Sequence, residues 1–390
     1  MLSAYPSPEA VHALRAAEYP WEARGDAVHV DHASIGPIPQ RARDAVATYN
    51  DKRAEMWQMR ADDFFPVLDR SRVLAAQLIG AHVDEIALTP NTSWGVNLAA
   101  YALPLGPGDI VLGSQGEFPA NVYPWMSASK ARGFTFELLP MVERRVDELE
   151  VLRRIERDPR VKGVALSWVS FWSGSRIDIA RIGAACRAHG IWFAVDAIQG
   201  LGPCALDVQS VHVDILSTGA QKWLCSPWGT GFAYVRRELI ATLDPPAAGW
   251  LSQATAGDFA KFLDYDPAWR GDAQRFEVGS LPMQDFIGMN RTLELFHELG
   301  TARIEAQVRT LTGRLLTWAA TRPEITLFTP RDDAQRAGIV ALATPDVLGD
   351  SQRLRDARIT HSVREGAIRI APHFHNTVED IDRLIAVLER

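Results

Sequence analysis

Through the middle of the chain, short continuous apolar runs alternate with stretches whose apolar residues recur every three to four positions. The runs are Glu85–Leu88, Ile110–Gly113, Phe134–Leu139, Gly163–Ser167, Trp192–Asp196, Ile215–Ser217 and Gly231–Val235, and Ala180–Arg187 between two of them has helical spacing. Continuous runs mark strands covered on both faces. Alternation of such strands with helices predicts an α/β domain built on a mostly parallel, seven-stranded sheet flanked by helices.

The pattern changes after about Pro245. Asp244–Gly279 is irregular and rich in Pro, Gly, Asp and Trp, and a long helical stretch follows over roughly Met283–Ala320. Two more strand-like runs, Gly338–Ala343 and Ala367–Ala371, precede a final helix. Thr377 and Asp380 have the spacing of a capping box at its start, and Val378, Ile381, Leu384, Ile385 and Leu388 form its apolar stripe. The expected organisation is an N-terminal arm (1–28), a large domain (29–260) and a smaller α+β domain (261–390), with no flexible linker between the last two.

Charge and cysteine content narrow the function. A formal net charge of −7 argues against nucleic acid or an anionic membrane as partner. Cys186, Cys204 and Cys225 are odd in number and lack CxxC spacing, so they read as free thiols in a reducing compartment. The N-terminal stretch lacks the basic and apolar regions of a secretion signal, and no apolar run reaches the roughly 18 residues of a membrane span. A soluble, cytoplasmic protein is expected.

The candidate chemistry lies in two neighbouring stretches. Val195-Asp196-Ala197-Ile198-Gln199 ends an apolar run in an acid, and Ser217-Thr218-Gly219-Ala220-Gln221-Lys222-Trp223 follows another with a lysine. Alone, Asp196 would read as a helix cap and Lys222 as a solvated surface residue. Each placed just after a strand, they suit pyridoxal phosphate (PLP). That cofactor needs a desolvated lysine for its aldehyde and a carboxylate for its pyridinium nitrogen, and Gln199 is placed to reach the ring oxygen. The chain has neither GxGxxG between a strand and a helix nor GxxxxGK[ST], so a nucleotide fold is not expected.

These motifs resemble the PLP-dependent aminotransferase class V family, fold type I, which includes cysteine desulfurases, selenocysteine lyase, isopenicillin N epimerase and kynureninase. The resemblance runs from His29-Val30-Asp31-His32-Ala33-Ser34-Ile35-Gly36-Pro37 to the C-terminal helix. It implies that Lys222 is the Schiff-base lysine, that Asp196 pairs with the pyridine nitrogen and that Gln199 meets the cofactor oxygen. Ile86–Asn97 reads as strand, turn and helix start, and the family places phosphate ligands there, which implies Thr92 and Ser93. Gln221 stands where relatives hold His or Gln near the phosphate. Glu117-Phe118-Pro119-Ala120-Asn121 matches the family segment that carries the ring-stacking residue, which implies Phe118.

Gln274–Ser280 resembles a segment whose hydroxyl reaches the phosphate of the neighbouring subunit. This implies a role for Ser280 and a homodimer with shared active sites. Ile368–Asn376 resembles the family's C-terminal motif, and Arg369 is the implied ligand of the substrate α-carboxylate, a task suited to guanidinium geometry. His32 is implied as a substrate contact.

Two departures bear on the reaction. Ile339–Ile368 contains no cysteine, whereas desulfurases carry their nucleophile shortly before the arginine. Trp94, Trp168, Trp172, Trp223, Trp228 and Trp250 cluster around the motifs, as core or as walls of an aromatic pocket. The implied activity is that of a lyase or aminotransferase acting on a small-molecule amino acid without a persulfide cysteine. Epimerisation, kynureninase-like hydrolysis and a catalytically idle PLP-fold protein remain alternatives. His373 and His375 form an HxH pair with no obvious further ligands, and no metal is expected.

Overall fold

The computed structural model describes residues 5–260, 263 and 265–390. The first residues of the expected arm, and residues 261–262 at the expected domain division, lie outside that description.

All seven apolar runs enter one sheet: β1 (Ile86–Leu88), β2 (Ile110–Ser114), β3 (Thr135–Leu139), β4 (Val161–Ser167), β5 (Trp192–Asp196), β6 (Ile215–Gly219) and β7 (Gly231–Val235). Their order across the sheet is β1-β7-β6-β5-β4-β2-β3. β7 runs antiparallel to both its neighbours, and β2 to β6 pair in parallel. β3, at the edge, is the least covered.

The two faces of the sheet differ in side-chain size. One carries Ile86, Leu112, Leu166, Phe193, Val195, Leu216 and Phe232, packed into the larger core. The other carries Ala87, Ala165, Ala194 and Ala233. Small residues let the helix Thr92–Ala102 lie close to that face. A Cβ at Gly95 would stand 2.2 Å from Ser217 Oγ, so only glycine fits where this helix crosses β6. The approach brings the helix N-terminus to the carboxyl end of β6.

The expected long helix is two, Met283–Leu299 and Thr301–Ala320. Gly300 between them has φ 84°, a left-handed conformation that ends the first helix. A second, antiparallel sheet follows: β8 (Thr326–Leu327), β9 (Val340–Ala343), β10 (Ser362–Arg364) and β11 (Ala367–Ile370), in the order β8-β9-β11-β10. The final helix, Val378–Leu388, starts at the expected capping box and buries Ile381 and Leu384. Among its described residues, Asp244–Gly279 holds only two short 3-10 turns, Trp250–Ser252 and Ala273–Phe276, and an isolated bridge between Gln253 and Trp269.

The beginning of the chain is tied to its end. Arg15, on the helix Pro8–Glu18, donates to both carboxylate oxygens of Asp380. Tyr5 donates to the Phe374 carbonyl, and Val28–His29 pairs in parallel with Ile359–Thr360. This strap carries Asp31–Gly36 over the turn after β6. Among the described residues, no helix is long and apolar enough to cross a membrane.

Candidate active site

β5 and β6 are neighbours, and Asp196 at the end of β5 lies in register with Ser217. Asp196 is buried, and one of its oxygens accepts the Ile198 N–H at 3.0 Å. Burial pushes its carboxyl up to about 6, although the Ile198 N–H and the charge of Lys222 pull it down. Lys222 sits in the turn after β6, which closes with the Cys225 N–H donating to the Lys222 carbonyl at 3.0 Å. Burial pushes the Lys222 ammonium down to about 8 against the pull of Asp196, and Arg369 adds to the depression. Near neutral pH a sizeable fraction of this lysine is therefore a neutral amine, which a solvated lysine is not. Its Nζ lies 5.4 Å from the centroid of the Phe118 ring.

Gly36 explains how the N-terminal strap fits here. Its N–H donates to the Gln221 carbonyl at 2.9 Å, and a Cβ would stand 2.1 Å from the Lys222 carbonyl oxygen. Gln199, buried, donates to the Ala33 carbonyl at 3.0 Å and accepts the Trp223 indole N–H at 2.7 Å. One amide N–H remains for a further acceptor.

Thr92 opens the helix whose N-cap is Asn91. Its hydroxyl is buried without a hydrogen-bond partner. A Cβ at Gly219 would meet Gln221 Oε1 at 2.5 Å and Thr92 Oγ1 at 3.3 Å, so the three residues border one small space that a larger side chain would fill. Ser93 is half-buried beside it. An unsatisfied hydroxyl, free helix N–H groups and a glycine-opened cradle suit a phosphate, and the residues present fit PLP. Thr92→Val is expected to leave the cofactor-free protein as stable or up to about 1 kcal/mol more stable, because it removes a buried unpaired hydroxyl. The same change is expected to weaken PLP binding at least tenfold. Thermal melting and a PLP titration by fluorescence check both halves.

Arg369, on β11, is fully enclosed. It donates to Ser362 Oγ at 3.1 Å, to the Phe171 carbonyl at 2.7 Å, to Asp31 at 3.2 Å and to Ser34 Oγ at 2.5 Å. Phe118 is 43% exposed and meets Phe171 edge-on at 5.2 Å, which leaves a ring face open. The structure thus brings Thr92, Gln221, Asp196, Gln199, Lys222, Phe118 and Arg369 to one end of the sheet.

Ser280, expected at the neighbouring subunit's phosphate and not at its own, and His32 stand outside this group. Ser280 is exposed on the loop after Ala273–Phe276 and makes no hydrogen bond to Thr92, Ser93 or Gln221 of its own chain. His32 is wholly buried; its Nδ1 meets the Ala371 carbonyl at 2.9 Å and its Nε2 meets His375 Nε2 at 3.0 Å. With both nitrogens engaged behind Trp223, it presents none to a substrate. The expected contact therefore finds no free atom here, and from the same segment it is Asp31 and Ser34 that reach the site, by binding Arg369. The tryptophans divide: Trp168, Trp172 and Trp223 are core, and Trp228 and Trp250 are exposed.

Glu117 is a residue that the sequence reading passed over. Its carboxylate accepts the Ser167 N–H at 2.8 Å, the Ser167 hydroxyl and the Asn121 amide at 3.1 Å. Burial pushes it up to about 7, and nearby Asp196 adds to the rise. Ser167 lies in register with Asp196, so Glu117 clamps the Phe118 loop to the strand beside the central acid. The spacing of Glu117 and Asn121 within the Phe118 motif was the available signal.

The aminotransferase class-V sequence model matches residues 30–384. A probable cysteine desulfurase of Pyrococcus abyssi is 27% identical over 341 residues, 82% of each chain. The isopenicillin N epimerase of Streptomyces clavuligerus is 27% identical over 376 residues, 93% of this chain and 94% of its own. In fold, the apo cysteine desulfurase of Thermococcus onnurineus superposes with a TM-score of 0.84 at 23% identity, covering 98% of this chain and 97% of that one. The cystine C-S lyase C-DES, solved with its product cysteine persulfide, superposes with a TM-score of 0.85 at 22% identity, covering 95% and 99%. With a match across nearly its whole length and a cradle that fits the cofactor, this chain belongs to the aminotransferase class-V family of PLP-dependent enzymes.

Proposed function

We propose that this enzyme acts on the α- or β-carbon of an α-amino acid, as a lyase or aminotransferase that uses no persulfide cysteine. The observation that carries the reading is Lys222, held near pH 8 beside buried Asp196 on adjacent strand ends. Bound PLP supplies an aldehyde for an amine and a pyridinium ring that takes up an electron pair. Asp196 keeps a proton at the ring nitrogen, and Gln199 gives its spare N–H to the ring oxygen. Thr92, Ser93 and Gln221 hold the phosphate, and Phe118 covers the ring. Arg369 offers the substrate carboxylate its remaining N–H, and Lys222 takes and returns the proton at Cα.

The cysteines support the absence of a persulfide step. All three are buried, and burial pushes the Cys204 and Cys225 thiols up to about 12. Free buried thiols also suit a reducing cytoplasm. The site is completed by a second copy of the chain, whose Ser280 reaches the phosphate. In support, Ser280 is exposed, and an apolar cavity of about 380 Å³, lined by Trp94, Tyr101, Pro246 and Phe276, opens beside Ser93.

The test is the visible spectrum of the purified protein with added PLP, before and after a panel of amino acids, with product analysis. A cofactor band that shifts with a particular amino acid, and a keto acid or an elimination product, is expected. Inversion of the amino acid alone would replace the reading with epimerisation. A band that no amino acid shifts would overturn it.

A further inference from the structure

Behind Trp223 lies a buried chain of ionisable groups that the proposed reaction does not use. Glu22, His32, His373 and His375 are each wholly buried. Glu22 Oε2 meets His375 Nδ1 at 2.6 Å, and its Oε1 accepts the His29 backbone N–H at 3.0 Å. His375 Nε2 meets His32 Nε2 at 3.0 Å, and His32 Nδ1 meets the Ala371 carbonyl at 2.9 Å.

These contacts fix the protons. A carbonyl only accepts, so His32 carries its proton on Nδ1 and presents a lone pair at Nε2. His375 must then donate from Nε2. Its other nitrogen faces a carboxylate that His375, then Arg15 and the His29 amide, hold below the usual carboxylate range against the upward push of burial. Burial holds His32 well below the usual histidine range, with His29, His375 and His373 adding to the fall, which keeps it neutral.

The surrounding charges agree. Arg15 is shared between Asp380 at 2.9 Å and Glu22 at 3.7 Å, so one guanidinium faces two buried carboxylates and a second cation is needed to balance them. Tyr19 stacks on His375 at 4.1 Å, and Cys225, His29 and His373 also face the pair. His373 donates from Nε2 to the Trp223 carbonyl at 2.7 Å, and its Nδ1 has no partner.

We infer that His375 is a buried imidazolium paired with Glu22, and that the Glu22–His375–His32 chain is a positioning device for the substrate-carboxylate site. His32 lies between Asp31 and Ala33, and it docks this strap on the Ala371 carbonyl. Asp31 and Ser34 bind Arg369, and the Ala33 carbonyl holds Gln199. The imidazolium thus sets where Arg369 and Gln199 stand, without itself touching substrate or cofactor.

Nitrogen-15 NMR of the histidine-labelled holoenzyme at pH 7.5 tests the charge. One of the ten histidines is expected to carry both ring protons, and a second, His32, to be the Nδ1–H tautomer. Finding every ring singly protonated overturns the assignment on the parent protein alone. In Glu22→Gln the doubly protonated signal is expected to vanish, and in Glu22→Asp to return. Amide exchange over Asp31–Gly36 is expected to quicken at least tenfold in Glu22→Gln, with the PLP band intact. The L-alanine concentration that half-saturates the spectral shift is expected to rise about tenfold, with kcat little changed.

Unchanged exchange in Glu22→Gln refutes the positioning role. The L-alanine arm rests on the proposed function. If the parent enzyme ignores L-alanine, that reading suffers, and the NMR and exchange results still decide this one.

Discussion

Replacing Lys222 with alanine is expected to lower turnover at least ~10³-fold and to remove the cofactor's lysine-dependent absorbance, while the protein stays folded. General base catalysis alone accounts for roughly 10²–10⁴-fold, and loss of the covalent anchor adds to it. The fold is retained because the buried ammonium works against stability. Its folded pKa of about 8 lies below the ordinary 10.5, so the charged form is penalised below pH 8, and the penalty disappears as pH rises through 10.5. Alanine removes that penalty at neutral pH.

The same displacement sets a pH dependence for the parent protein. Only the neutral amine captures an aldehyde, so the rate at which the apoenzyme takes up PLP is expected to climb between pH 6.5 and 9, half-complete near 8. Stopped-flow absorbance reads this directly. A rate flat across that interval would mean that Lys222 is not the capturing group, and turnover retained in the alanine variant would mean the same.

The sheet was legible because its strands are buried on both faces. Runs such as Trp192–Asp196 and Gly231–Val235 carry no competing periodicity, and their bounds agree with the structure. The direction of β7 was not legible, because an apolar run has no arrow. The break at Gly300 was hidden inside one helical pattern, since a single glycine is compatible with a continuing helix. Asp196 and Lys222 could be read locally, as each ends a strand. His32 could not, because its neighbours Ala371 and His375 are more than 300 residues away in sequence. Nor could the orphaned Thr92 hydroxyl, which is a fact of packing: only the close crossing at Gly95 makes the helix N-terminus a cradle. Glu117 was overlooked because its importance comes from burial and from Ser167, on another strand.

Asp196→Asn is expected to move stability and activity in opposite directions. In the cofactor-free protein the carboxylate is buried against little but the Ile198 N–H and the lysine. Its folded pKa of about 6 lies above the ordinary 3.8, so the folded state binds more protons than the unfolded one between those values. Stability is therefore lost as pH rises through that window, and the whole penalty is present above pH 6. An amide of the same shape escapes it. The apo variant is expected to be more stable by about 2 kcal/mol at pH 7.5, and the advantage is expected to shrink below pH 6 and to be gone near pH 4. Denaturant melts at the two pH values measure this.

In the holoenzyme the carboxylate has a purpose that asparagine cannot serve, since an amide cannot balance a pyridinium charge. Turnover is expected to fall by about 10²–10⁴-fold, with PLP still attached through Lys222. The two results together separate a residue kept for catalysis from one kept for folding. An acid that burdens the empty protein and drives the loaded one is a cofactor ligand, whereas a variant that is both less stable and only mildly impaired would return Asp196 to the role of a turn former.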